Sequence, residues 1–343
     1  MPRFRAGSAQ NEEGIMTKRT IDSLESFAIG GVTQWVLLRG NLGTGRVLLV
    51  IQQGPGLPLI QDARAFEQRL HLESEGVVAY WDQRGTGKSA RVEPSTLSVP
   101  QLVADVGALV AALCARLRVD HVDVLGLSIG GSIAMMAAAK DPTHIGRVVV
   151  VGLDVDWDES ERYAYAFARR EAARRGDRRA ERQLEAIGAP PHDTSQRFLT
   201  RARWVSAYGG IHRRRGFFGL LWDMVWGILR SPHYSIGERL RALRAVDRAQ
   251  GLMLAPSNHF DLRAAIPRIE VPIAFFQGRH DVGTNPTLVA RYATELDAPR
   301  GKSFVWFEES AHMPYYEEPV QFREALLGAG TADYPARPVG HAT

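Results

Sequence analysis

The chain has 343 residues, 45% of them hydrophobic and 23% charged, with a formal net charge of +4. That make-up excludes a largely disordered or collagen-like chain and supplies a real core for one large domain carrying an insertion. A single cysteine, Cys114, excludes an intramolecular disulfide and a cysteine-built metal cage, and no apolar run reaches the length of a membrane span.

Residues 1–20 are polar and lack the apolar stretch of a secretory signal, so they read as a mobile extension of a cytoplasmic protein. A short strand is expected at 26–30 and a second at 33–39, TQWVLLR. The glycine-rich turn 40–45 separates the latter from RVLLVIQ (46–52), whose nearly unbroken apolar run suits a strand buried on both faces. Next come a helix around 61–73, the strand GVVAYWD (76–82), a long apolar-periodic helix at 100–117 and a strand at 122–126. A helix of small residues (130–140) and the buried strand RVVVVGL (147–153) follow. Strands alternating with helices, each strand apolar throughout, argue for a mostly parallel α/β sheet covered on both faces.

The pattern changes after Asp156. No convincing strand appears before Pro267, and helical charge patterning dominates. Strand signals resume in PIAFFQ (272–277) and SFVWF (303–307), and a last helix is expected at 319–327. The expected organisation is a core at 21–155 and 271–330, a helical cap at 156–270 and a tail at 331–343. Between Asp156 and Glu270 stand 21 arginines against 14 acids. Their interleaving, as in RREAARRGDRRAERQLEA, reads as a solvated, ion-paired helix face. With no aromatic-interleaved basic strand and no zinc or helix-turn-helix signature, nucleic acid is not an expected partner. The most apolar part, GFFGLLWDMVWGIL (216–229), is too short to span a bilayer and reads as a helix packing on the core or walling a substrate pocket.

The chemistry centres on Gly126-Leu127-Ser128-Ile129-Gly130, a Gly-x-Ser-x-Gly pattern between a strand and a helix. There a sharp turn exposes the serine, and the close approach of neighbouring backbone demands glycine on both sides. Serine needs a base, and the base an orienting acid. Asp281, after PIAFFQ, and His312, after SFVWF, lie just past strand ends, where open α/β sheets bind ligands. Asp154 is the rival acid and His280 the rival base. Oxyanion donors are expected from the backbone N–H groups of Ile129 and Gly54, the latter in Gln52-Gln53-Gly54-Pro55-Gly56. The GTGKS that ends DQRGTGKS (82–89) is not a phosphate-binding loop, because Asp82 stands where that pattern requires glycine and no helix start follows.

Taken together, GGVTQWVLLRG, QGPG, YWDQRGTGKS, GLSIGG, QGRHD and SAHMPYYEEP resemble the α/β-hydrolases of the proline-iminopeptidase-like group over about residues 21–327. The resemblance implies an α/β-hydrolase fold with an inserted helical cap at 156–267, a structural role for the DQRGTGKS loop, and a triad of Ser128, Asp281 and His312. Two departures stand out. Gln52 and Gln53 replace the His-Gly of the group's usual His-Gly-Gly-Pro-Gly. The segment Arg203–Tyr208 also lacks one of the cap acids with which prolyl aminopeptidases hold a substrate's amino group. The expected protein is therefore a serine hydrolase, free of metal and cofactor, that cleaves a small ester or amide through an acyl-enzyme. Trp204, Phe217 and Trp222 are candidate substrate contacts. The alternatives are an aminopeptidase and a non-hydrolytic binding or biosynthetic auxiliary protein on the same fold.

Overall fold

The computed structural model describes residues 19–54 and 56–329. The extension expected at 1–20 falls almost wholly outside these residues, as does the 331–343 tail.

Three strands open the chain: β1 (Thr20–Ile29), β2 (Val32–Asn41) and β3 (Val47–Ile51). After α1 (Ala63–Leu70) come β4 (Val77–Asp82), α2 (Val99–Leu117), β5 (Val122–Leu127), α3 (Ile129–Lys140) and β6 (Ile145–Val151). Five long helices then follow β6: α4 (Trp157–Arg175), α5 (Arg178–Ile187), α6 (Ser195–Ala207), α7 (Phe217–Arg230) and α8 (Ile236–Met253). A short α9 (Leu262–Ala265) leads back to β7 (Ile273–Gly278). The described residues close with α10 (Pro286–Glu295), β8 (Lys302–Phe307), α11 (Pro314–Glu317) and α12 (Pro319–Gly328).

The strands form one eight-stranded sheet in the order β1-β2-β4-β3-β5-β6-β7-β8. The pairs β1–β2 and β2–β4 are antiparallel, and the rest are parallel. Along β6 the side chains alternate between two cores. Val148 and Val150 join the cluster under α2, α3 and α10, whereas Val149 and Val151 join the one under α1 and α12. Continuous apolar strands are thus the expected consequence of a sheet covered on both faces. The helical insert has a smaller core of its own, built on Ala164, Ala168, Leu184, Trp204 and Val205.

Two elements differ from expectation. β1 begins at Thr20 rather than 26, because all ten of its residues find partners on β2 although its polar sequence carries little apolar signal. Helix α10 went unread, although Asn285, whose side chain caps it, and Pro286 in its first turn are good start signals. Helix α2 alone among the described helices has the length and apolar character of a spanning segment. It packs on the sheet and carries the fully buried Asp105 at its centre.

That aspartate belongs to a network that fixes the DQRGTGKS loop. Arg84 donates to both carboxylate oxygens of Asp105, at 2.7 and 2.9 Å, and to the carbonyl of Gly30. Asp82 accepts from the backbone of Leu59, Ile60 and Lys88 and from the Tyr234 hydroxyl at 2.6 Å. Lys88 donates to Glu238 of α8 at 2.8 Å. The lysine of the apparent phosphate motif is therefore an ion-pair partner, and the loop fastens the α7–α8 connection to the sheet.

Candidate active site

Ser128 stands between β5 and α3 with φ 55° and ψ −127°. The other non-glycine residues with positive φ among those described, His71 and Arg118, adopt the ordinary left-handed conformation at helix ends. The Ser128 geometry is far less accessible and costs about 1–3 kcal/mol. The turn is held by a 2.7 Å bond from the Ser128 N–H to the Val151 carbonyl. Its flanks admit no side chain. A Cβ on Gly126 would lie 2.5 Å from the Gly131 Cα, and one on Gly130 would lie 2.4 Å from the Gln52 carbonyl oxygen. Ala134, Ala137 and Ala138 are buried, which lets α3 sit close to the sheet.

Asp281 follows β7 and is 1% exposed. Its Oδ1 accepts from the backbone of Gly283 and Thr284, and its Oδ2 from Gln277 and the Thr284 hydroxyl. Both oxygens also face His312 Nδ1, at 3.0 and 2.9 Å. Burial alone would push the imidazole pKa down. The Asp281 carboxylate outweighs this by charge and hydrogen bond, so His312 lies above the ordinary histidine value. Glycine walls the ring on two sides: a Cβ on Gly152 or on Gly283 would come within 2.8 Å of Nδ1. The loop bearing His312 is clamped from α11, where Glu317 accepts from the backbone of Ala311 and Arg213, and the adjoining Glu318 from Ser310. The His312 N–H donates to the Ile211 carbonyl, which ties the insert to the same loop.

The rival residues have other surroundings. His280 is exposed. The Asp154 side chain accepts from Ser160 at 2.7 Å, and burial pushes its pKa up to about 6 against that hydrogen bond.

Ser128 and His312 open onto a single cavity of about 1130 Å³, whose wall also includes Gly54 and Ile129. Ile129 begins α3, so its N–H is free of the helix ladder by position. Gly54 has φ 60°, and the neighbouring Gln53 accepts from the Tyr315 hydroxyl at 2.8 Å. Of the three aromatic candidates only Phe217 lies on the cavity wall. Trp204 is buried in the insert's own core, where it packs on Tyr208 and donates to Gln183. Trp222 is 60% exposed and stacks on Trp226. Helical periodicity explains the split, because 217, 220 and 224 share the inward face of α7 and 222 lies well around from it.

Three charged groups also line the wall: the rival acid Asp154, and Glu161 and Arg201, which are not among the expected site residues. Glu161 and Arg201 are 3% and 6% exposed and pair at 3.1 Å, and burial pulls the arginine pKa down. They stand apart from the solvated arginines and acids of the insert. That description holds for Glu171 with Arg174 and Arg175 on the outside of α4. The available signal was spacing: Ala164, Ala168 and Ala172 mark the inward stripe of α4, and Glu161 continues it. A further acid of the wall, Asp62, is pushed up to about 7, chiefly by removal from water.

Residues 53–325 match the model of the alpha/beta hydrolase family, and the chain belongs to that family. The family and the relatives support a hydrolase, and proline iminopeptidases and proteins related to them are among the relatives and structural neighbours. It is 26% identical over 316 residues to the probable aminopeptidase YbaC of Bacillus subtilis, covering 91% of this chain and 97% of that protein. It is 23% identical to a proline iminopeptidase of Heyndrickxia coagulans, covering 83% and 90%. A proline iminopeptidase-related protein of Thermus thermophilus superposes with a TM-score of 0.60 at 19% identity, covering 90% of this chain and 97% of that one. An esterase of Exiguobacterium antarcticum gives the same TM-score at 15% identity, covering 90% and 99%.

Proposed function

We propose that this hydrolase works as a serine hydrolase through an acyl-enzyme. Ser128 Oγ attacks the substrate carbonyl and His312 takes its proton. Asp281 holds the imidazole in one tautomer and stabilises the imidazolium. The N–H groups of Gly54 and Ile129 receive the oxyanion. The leaving alcohol or amine takes the proton from His312, and water then releases the acyl group by the reverse path. The helices between β6 and β7 act as a cap over a small ester or amide with an apolar portion. The observation that carries this reading is His312, bonded to Asp281 at 2.9 Å and lining one cavity with a strained Ser128.

The test is labelling with a fluorophosphonate probe and turnover of acyl nitrophenyl esters of graded length, on wild type and Ser128→Ala. The reading requires labelling and turnover in the first and neither in the second. A folded wild type that neither labels nor turns over leaves the non-hydrolytic alternative.

A second reading, an aminopeptidase, draws support from the carboxylates of Asp154 and Glu161 on the cavity wall and from the names of the relatives. These acids are suited to a substrate's ammonium group, although they stand outside the segment where prolyl aminopeptidases carry theirs. Turnover of amino-acyl nitroanilides well above simple acyl esters would favour this reading.

A further inference from the structure

Eight large hydrophobic side chains are exposed among the described residues, and seven of them sit on two consecutive helices. Five belong to α7, among them Phe218 at 65% and Trp222 at 60% exposure, and Ile236 and Leu240 open α8. A soluble surface scatters such residues singly, and a cluster marks a contact face. The charge around it is lopsided. Residues 213–244 hold seven arginines and two acids. Both acids are engaged, Asp223 with Arg215 at 3.0 Å and Glu238 with Lys88 at 2.8 Å. Exposed arginines stand at both ends of α7: Arg213, Arg214 and Arg215 before it and Arg230 at its close. Arg230 lies over the Trp226 ring, 4.3 Å from its centre.

We propose that the outward face of α7, with the first turns of α8, docks on an anionic lipid bilayer. Fourteen residues at 1.5 Å each give a helix about 21 Å long, too short to span the hydrocarbon core but suited to lying in the headgroup plane. Tryptophan favours that depth, and flanking arginines complement anionic headgroups. A neutral apolar partner or a second copy would not call for cations at both ends. The other face of α7 presents Phe217, Leu220 and Met224 to the catalytic cavity, whose wall also takes in Leu221, Trp226 and Arg230 of the exposed face. The bilayer surface and the site therefore meet along this helix, and a bilayer-dissolved substrate would have a short path to it.

The test is flotation of the full chain with vesicles of phosphatidylcholine, with and without phosphatidylglycerol. Binding is expected only to the anionic vesicles, weakening with salt, with a blue shift of tryptophan emission. Phe218→Ser with Trp222→Ser should lower partitioning about tenfold or more. Arg213→Glu with Arg214→Glu should abolish the preference for anionic lipid. Val320→Ser, the exposed apolar residue elsewhere, should change neither. Unaltered thermal stability of each variant ties the result to the surface. Absence of binding by wild type, or partitioning indifferent to the first pair of substitutions, overturns the proposal. So does a sedimentation result in which wild type is a dimer that this pair dissolves and vesicles do not bind.

Discussion

The sheet and the helical insert handle charge and apolar surface in opposite ways. The sheet half buries individual charges and satisfies them completely: Asp105 receives Arg84, Gln34 and Gln101, and Asp82 receives four donors. The insert keeps most of its charges in water, some paired along one helix as Glu171 is with Arg174 and Arg175, and leaves Phe218, Trp222 and Trp226 exposed on α7. The lesson concerns rigidity. A fully bonded buried charge fixes geometry, because any displacement strands it. Exposed short-range pairs hold little and leave a surface free for contact.

Substitutions sharpen this contrast, the largest effect being expected at the strained turn. Ser128→Ala should cut kcat by about 10⁴-fold while leaving thermal stability at or above wild type, as measured by ester turnover and a melting curve. Loss of turnover accompanied by a large fall in stability would deny that the turn is dedicated to chemistry. Asp281→Asn should lower kcat by about 10³–10⁴-fold and also move the pH profile. Since Asp281 raises the His312 pKa, and the base must be neutral, wild-type kcat/KM should fall as pH drops through a value above 6.5. In the asparagine variant that limb should shift to lower pH. The same raised pKa means that protonated His312 stabilises the fold at low pH, a contribution lost as pH rises through its folded value.

Asp105→Ala leaves the Arg84 charge buried without its partner and should cost about 3–5 kcal/mol in urea unfolding. Tyr234→Phe removes one donor from buried Asp82 and should cost about 1–3 kcal/mol. Because Tyr234 joins the insert to the sheet, the change should appear first as faster proteolysis within residues 217–253. Last, Glu171→Gln on the exposed side of α4 should change stability by about 0.5 kcal/mol or less. An effect there as large as at Asp105 would erase the distinction between the two regions.

What the sequence disclosed follows the same division. Apolar strands and glycine-flanked turns are local patterns, so the sheet, the Ser128 turn and the positions of Asp281 and His312 were legible in it. Side-chain direction within the insert was not. Periodicity shows that α7 has two faces without saying which one meets the cavity, and so Phe217 was placed on the wall and Trp222 wrongly beside it. Glu161 and Arg201 lie 40 residues apart, and nothing local to either marks them as a buried pair. Nothing local marks Gly152 or Gly283, because the imidazole that needs their space comes from a distant loop.

Those two glycines shape how any survey of random variants would look. Neither bears a reactive atom, yet almost any replacement there must push the His312 ring off Asp281. On a map of lost activity they would stand level with the proposed nucleophile and base. A reader of such a map would count five participants in the chemistry, where two of them contribute only empty room.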